Sequence, residues 1–150
     1  MKLAEVFAHW ERVRKGTFET IDKFEQDELD FAPYAGAWSV RQICVHIANA
    51  EDGWFRHTVT GEAAEWPAEA DPEDYPDVSA LKSLLTDVHQ RTIDYLEDPK
   101  LDEFDRPVEL SWGPTVPLNW IFWHVLEHEI HHRGELSLIL GILGKEGLDV

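Results

Sequence analysis

One stretch near the C-terminal end, Trp120 to Gly134, reads W-I-F-W-H-V-L-E-H-E-I-H-H-R-G and constrains this chain more than any other. His124, His128 and His132 recur every four residues, which on a helix turning about 100° per residue sets each about 40° round from the last. Trp120, Ile121, Val125, Leu136, Ile139 and Leu140 lie between and behind them, so the imidazole stripe is expected on the apolar face, turned to a core. A buried neutral imidazole has a donor and an acceptor nitrogen to place, and each left without a partner costs about 1–3 kcal/mol. One histidine on such a face is ordinarily satisfied by a carbonyl. Three in register point to a shared metal ion, which needs a further ligand from another helix, because two ligands at i and i+4 fill only half of a tetrahedral shell.

Three other segments supply faces for that helix to pack on. Leu3, Val6, Phe7, Trp10, Val13, Phe18, Ile21 and Phe24 predict a long first helix from Leu3 to about Phe24, with a phase slip near Gly16. After a loop with Pro33 and Gly36, Ser39 stands where an N-cap belongs. Val40, Ile43, Ile47, Ala50 and Trp54 then mark the buried face of a second helix that fades near His57 and Gly61. His46 shares this face and is a fourth candidate ligand. Cys44, two residues earlier and about 200° away, cannot reach the same ion and is read as packing. An acidic loop rich in alanine and proline follows, and a third helix opens after Asp77 or Ser79 and is stopped by Asp98 and Pro99. The run from Asp105 to Pro117 alternates around Trp112-Gly113-Pro114 and predicts a short hairpin or ordered loop. Pro117 then suits the first turn of the fourth helix, which carries the histidines and ends between Gly141 and Gly144. The expected fold class is all-α: a four-helix bundle with a short hairpin or ordered loop before the last helix, one domain over residues 1–150. His9 and His89 are left unassigned.

Composition narrows the function. Seven tryptophans and 43% apolar residues supply a core without disulfides, and the single cysteine fits a reducing compartment, so a cytoplasmic protein is expected. The first residues, M-K-L-A-E-V-F-A-H-W-E-R, place charge every few positions and offer no apolar run for a secretion signal or membrane span. A formal net charge of −17 leaves no basic patch to track phosphates. Nucleic acid and membranes are therefore not expected as partners, and a small-molecule substrate is.

His128-Glu129-Ile130-His131-His132 satisfies H-E-x-x-H, in which two histidines bind zinc and the glutamate activates its water. The continuation argues against a metzincin peptidase, because Gly134 comes one place early and no histidine follows His132. Glu129 is kept as a candidate catalytic carboxylate.

The whole pattern resembles the DinB/YfiT-like superfamily of small bacterial metal-binding four-helix bundles. The resemblance rests on W-S-V-R-Q-I-C-V-H-I-A-N-A-E from Trp38 and on H-V-L-E-H-E-I-H-H-R-G-E-L from His124, and it covers nearly the full chain. It implies that His46 and the H-x-x-x-H pair His128 and His132 hold one divalent metal ion, with zinc, nickel, manganese, cobalt and iron undistinguished. His124 becomes an outer or alternative ligand, and His131 faces outward. Glu135 stands where the family often has glutamine, and helix geometry turns it toward the site. It is either an outer acceptor or extra ligand, or a surface carboxylate paired with Arg133 or Lys145.

Three imidazoles leave an ion with open positions for water or substrate. The resemblance implies a metal-dependent enzyme such as an S-transferase using a low-molecular-weight thiol as co-substrate, mycothiol or bacillithiol in relatives, and a homodimer. A metal-activated-water hydrolase on the same site is the alternative, with Glu129 and Glu135 as candidate bases. A non-catalytic, metal-braced stress-response or binding bundle is the third reading. An anionic thiol would require local cations, from Arg41, Arg56 or Arg133. Trp120, Phe122 and Trp123 would line a pocket, a dimer face or the core.

Overall fold

A computed structural model describes residues 2–98 and 103–149 of the chain. Its elements are, in order, α1 (Leu3–Val6), α2 (Trp10–Ile21), α3 (Val40–Gly53), α4 (Val78–Glu97), β1 (Pro107–Glu109), β2 (Thr115–Pro117) and α5 (Leu118–Ile142). Turns of 3-10 helix lie at Gln26–Glu28 and Pro72–Asp74, and a π-helical turn at Trp54–Val59.

The helix starts follow from their caps. The Ser39 hydroxyl accepts from the Gln42 N–H at 3.2 Å, and the Gln42 side chain accepts from the Ser39 N–H at 2.9 Å, a reciprocal box that opens α3. Asp77 accepts from the Ala80 N–H at 2.8 Å and sets the start of α4. That helix ends at Glu97, before Asp98; Pro99 lies outside the described residues. The expected hairpin is present, with β1 antiparallel to β2 and Val108 opposite Val116. Pro117 closes β2 and caps α5 instead of entering its first turn.

The single first helix expected from periodicity is two. The chain bends between Val6 and Trp10, not at Gly16, and α2 ends at Ile21, short of Phe24. The bend re-aims the backbone, because α1 packs on α4 whereas α2 runs along α5. Phe7 at the bend is buried against Phe122 and Trp123, with ring centroids 5.3 and 5.0 Å away. The architecture is therefore mostly helical, with α1 ahead of four longer helices and a two-stranded hairpin before the last of them. Among the described residues no helix is long and apolar enough to cross a membrane.

The core lies in two apolar blocks. One gathers Phe7, Trp10, Phe55, Ile121, Phe122 and Val125, and the other Ile21, Ile43, Cys44, Leu81, Leu85 and Leu136. Between them each of the four long helices contributes buried polar groups: Arg14 and Thr17, Glu51, His89 and Thr92, and Glu129 with His132. Trp120, expected on the buried face of the last helix, is 41% exposed, and Trp123 is 45% exposed; of the three aromatic residues there only Phe122 is core.

Candidate metal centre

His46 projects from the middle of α3, and His128 and His132 from successive turns of α5, so the site straddles the α3–α5 interface. The His128 Nε2 stands 2.9 Å from His46 Nε2 and 3.1 Å from His132 Nε2. His132 is buried, while His46 and His128 are half-buried, so the cluster opens to solvent on one side. The Trp38 ring lies 4.4 Å from the His46 ring and 6.0 Å from the His132 ring, centroid to centroid, and covers part of that opening.

Proton accounting decides what this cluster fits. The His132 Nδ1–H donates to Glu135 Oε2 at 2.6 Å, which leaves His132 Nε2 as a bare acceptor. If His46 gives its Nε2 proton to His128, two bare lone pairs face each other at 3.1 Å; if His128 donates to His132, its contact with His46 loses its own hydrogen bond. No neutral arrangement satisfies all three nitrogens, whereas one divalent cation accepts three lone pairs at once. Ligands about 2.0–2.1 Å from such an ion stand about 3.0–3.4 Å from one another, close to the spacing present. Burial first, and then the neighbouring imidazoles of His132, His46, His124 and His131, push the His128 pKa down to about 3. Burial and His132 also lower that of His46. Both rings are therefore neutral near pH 7, the state in which imidazole ligates.

Glu135 is thus the acceptor that fixes the His132 tautomer, not a partner of Arg133 or Lys145; Lys145 pairs with Glu28 instead. His131 is outward-facing as expected, with its Nε2 3.5 Å from Glu135 Oε1.

Glu129 is placed elsewhere. Its Oε2 accepts from Trp10 Nε1 at 2.8 Å and from Arg14 Nη2 at 3.0 Å, and its Oε1 accepts from the Thr17 hydroxyl at 2.7 Å. One residue on from His128, it is turned about 100° into the polar layer. The layer continues through Arg14 Nη2 to Glu51 Oε2 at 2.6 Å, while Glu51 Oε1 accepts from His89 Nδ1 at 2.7 Å and Thr92 at 2.6 Å. Burial opposes ionisation of Glu51, but Arg14, His89 and Thr92 more than offset it and hold its pKa at about 2. The apolar periodicity did not single out Arg14 or Glu51; the signal that could have found them is that Arg14 lies between Trp10 and Thr17 on the inner stripe of α2 and Glu51 one turn after Ile47.

His124 is not brought to the three nitrogens. It stacks on Trp120 with centroids 4.9 Å apart and 6° between planes, and meets Trp54 edge-on at 4.9 Å. Trp54 in turn packs on Trp66 and Trp112, so an indole cluster begins one turn of α5 from His128. The three arginines considered as a basic mouth are dispersed. Arg41 pairs with Asp30 at 2.8 Å and Arg56 with Asp52 at 3.0 Å, while Arg133 lies against α2. The charges acting on His46 are instead the carboxylates Glu69 and Glu135.

Comparison with known proteins gives a consistent picture of the fold. The sequence model of the DinB family matches residues 1–149. YjoA of Bacillus subtilis is 23% identical over 142 residues, 93% of this chain and 90% of its own; YizA of the same organism is 27% identical over 134 residues, 87% and 80% of the two chains. The crystal structure of B. subtilis YjoA, a DinB-like protein, superposes with a TM-score of 0.72 over 97% of this chain and 96% of that one, at 21% identity. The mycothiol-dependent maleylpyruvate isomerase superposes with a TM-score of 0.61 and 20% identity, over 88% of this chain but 60% of the isomerase.

Proposed function

This chain belongs to the DinB family, and from that premise we propose that it is a metal-dependent enzyme in which His46, His128 and His132 hold one divalent ion that acts on a low-molecular-weight thiol. The observation that carries the proposal is the convergence of three imidazole Nε2 atoms at a half-open site. Three protein ligands with an open position are the arrangement of catalytic rather than closed structural sites. When bound, the ion supplies a Lewis acid that lowers the pKa of a thiol or water at its open position, so that a nucleophile is available near neutral pH.

The chain's own residues do the remaining work. Glu135 holds the His132 proton on Nδ1 and aims Nε2 at the site. Burial keeps His128 unprotonated. Trp38 limits water on one side. The thiol has to come from a co-substrate, because Cys44 is fully buried and burial pushes its pKa up to about 12. The name of the mycothiol-dependent isomerase supports a thiol of this kind. Glu69 and Glu135 beside the site favour one that is uncharged or cationic. The hydrolase reading has less support, since both Glu129 oxygens are engaged in the interior and Glu135 Oε2 is engaged by His132.

Elemental analysis of protein purified without a metal-affinity tag tests the site, on wild type and on His46→Ala, His128→Ala and His132→Ala. About one ion per chain, lost in each variant while helical circular dichroism persists, is expected. The metal-loaded protein should then consume a free thiol in the presence of an electrophile panel, and the apo-protein should not. No bound ion and no uptake of zinc, nickel or manganese would overturn the proposal, and thiol-independent ester or amide hydrolysis would transfer it to the hydrolase.

A further inference from the structure

On the α2 side of α5, away from His46 and α3, the two helices enclose a cleft of about 500 Å3. Arg12 and Lys15 of α2 and Arg133 of α5 line it over Val13, Ile130 and Leu148. Its charge runs against that of the protein as a whole, where acidic residues outnumber basic ones 30 to 13.

Arginine pairing sharpens the contrast. Elsewhere Arg14 pairs with Glu51, Arg41 with Asp30, Arg56 and Arg91 with Asp52, and Arg106 with Glu103. The two remaining arginines of the sequence are Arg12 and Arg133. Among the described residues neither makes a side-chain hydrogen bond or ion pair, and both face this cleft. In a strongly acidic protein an unpaired arginine is the exception, and two on one cleft mark a place where an anion is wanted.

The cleft also has a built seat. A Cβ on Gly16 would stand 2.9 Å from Arg133 Nη1 and 2.9 Å from Leu148 Cδ2, so the glycine lets the guanidinium and the leucine settle against the α2 backbone. His9 adds an imidazole at one end. The carboxylates on the cleft are Glu19, which lies 3.8 Å from Lys15, and Asp149, which leaves Arg12 and Arg133 available.

We propose that this cleft binds a small organic anion, with its carboxylate or phosphate on Arg12 and Arg133 and its apolar body on Val13, Ile130 and Leu148. Guanidinium forks recognise planar carboxylates and phosphates through paired charge-assisted bonds, and the volume suits a ligand of metabolite size. The site shares α5 with the metal centre but pairs it with α2 in place of α3, and it differs in charge and ligand chemistry.

Isothermal titration of the metal-loaded full chain with benzoate, phenyl phosphate, inorganic phosphate and benzyltrimethylammonium tests the inference. Saturable binding of benzoate or phenyl phosphate is expected, tighter than inorganic phosphate and absent for the cation; whichever aromatic anion is preferred identifies the carboxylate or the phosphate. Arg12→Gln and Arg133→Gln should each weaken it about tenfold, and His128→Ala should leave it intact. Circular dichroism and metal content of the arginine variants establish that fold and metal centre survive. Absence of saturable binding, equal binding of the cation, indifference to both arginine variants, or loss of binding in His128→Ala would each overturn it. The last would place the anion at the metal.

Discussion

His46 Nε2 and His128 Nε2 stand 2.9 Å apart across the α3–α5 interface, although 82 residues separate them in sequence. An ion shared by the pair and His132 would tie two helices in the folded state and would have no equivalent site in the unfolded chain. Free metal at about a thousand times its dissociation constant should therefore add about 4 kcal/mol of stability, which for a domain of this size raises Tm by roughly 10 °C. Thermal unfolding with and without chelator measures this, and His128→Ala should abolish the difference.

Glu135 acts on the centre through His132. Glu135→Ala removes the acceptor that fixes the ring, and metal affinity should fall about 10–100-fold at unchanged stoichiometry. Glu135→Gln keeps a carbonyl acceptor and should fall less. Competition against a chromophoric chelator reads both. Loss of stoichiometry in the alanine variant would instead make Glu135 a direct ligand.

Glu129, held in the interior by Trp10, Arg14 and Thr17, is expected to act on stability. Leucine at this position leaves Arg14 short of one carboxylate and Trp10 without its acceptor in the interior, while the Thr17 hydroxyl keeps the Val13 carbonyl, and breaking such a buried pair costs about 3–5 kcal/mol. Glu129→Gln keeps one acceptor oxygen, which can still take the Trp10 and Arg14 bonds while its amide nitrogen donates to the Thr17 hydroxyl, and should lose less. Urea unfolding should rank wild type, glutamine and leucine in that order, with about one ion retained in each. A glutamine variant that keeps its stability and metal but loses all turnover would reinstate Glu129 as a base.

The parts of this molecule legible in its sequence are those written in spacing. Ser39 and Asp77 announce two helix starts, the Trp112-Gly113-Pro114 turn announces the hairpin, and His46, His128 and His132 sit where a helical period carries them to one interface. The bend before Trp10 is silent, since Phe7 and Trp10 keep the same apolar rhythm on either side of it. His124 keeps the rhythm of the stripe as well, but the 40° drift per step turns it toward Trp54 and Trp120. Glu129 stood out as a candidate catalytic carboxylate and Arg14 and Glu51 did not stand out at all, while the positions of all three among Trp10, Thr17, Ile47 and Val125 are those of core. What spacing cannot express is which charge on one helix meets which on another, and the polar layer consists entirely of such meetings.

That layer predicts the acid limit of the fold. The Glu51 pKa is lowered from an ordinary value of about 4.5 to about 2, so the folded state binds its proton less readily than the unfolded chain. The associated stability, of order 3 kcal/mol, is fully present above about pH 4.5 and is lost as pH falls from there toward 2. Glu51→Gln should be less stable than wild type at pH 7, and the gap should close over this interval. Denaturant titrations at pH 7, 4.5 and 3 on metal-free protein separate the effect from the release of any ion. A gap that stays constant down to pH 3 would remove Glu51 as the source.

The acidic loop is held by a contact that only glycine permits. A Cβ on Gly53 would stand 2.2 Å from Trp66 Cζ2 and 2.3 Å from Cε2, far inside contact distance, and an indole cannot yield by bending. Gly53→Ala must therefore expel Trp66 from its place beside Trp54, Trp112 and His57. The same substitution favours the helix by about 1 kcal/mol, so global stability should change little while the loop loses its anchor. Two local readouts follow: a red-shifted tryptophan emission whose excess disappears when Trp66→Phe is added, and faster proteolysis within residues 61–77. Because Trp54 also touches His124 on α5, an indole cluster loosened in this way should weaken the capture of any substrate that leans on it while leaving metal content at about one ion per chain. Unchanged emission and unchanged cleavage would mean that Trp66 is seated by something other than the bare backbone of Gly53.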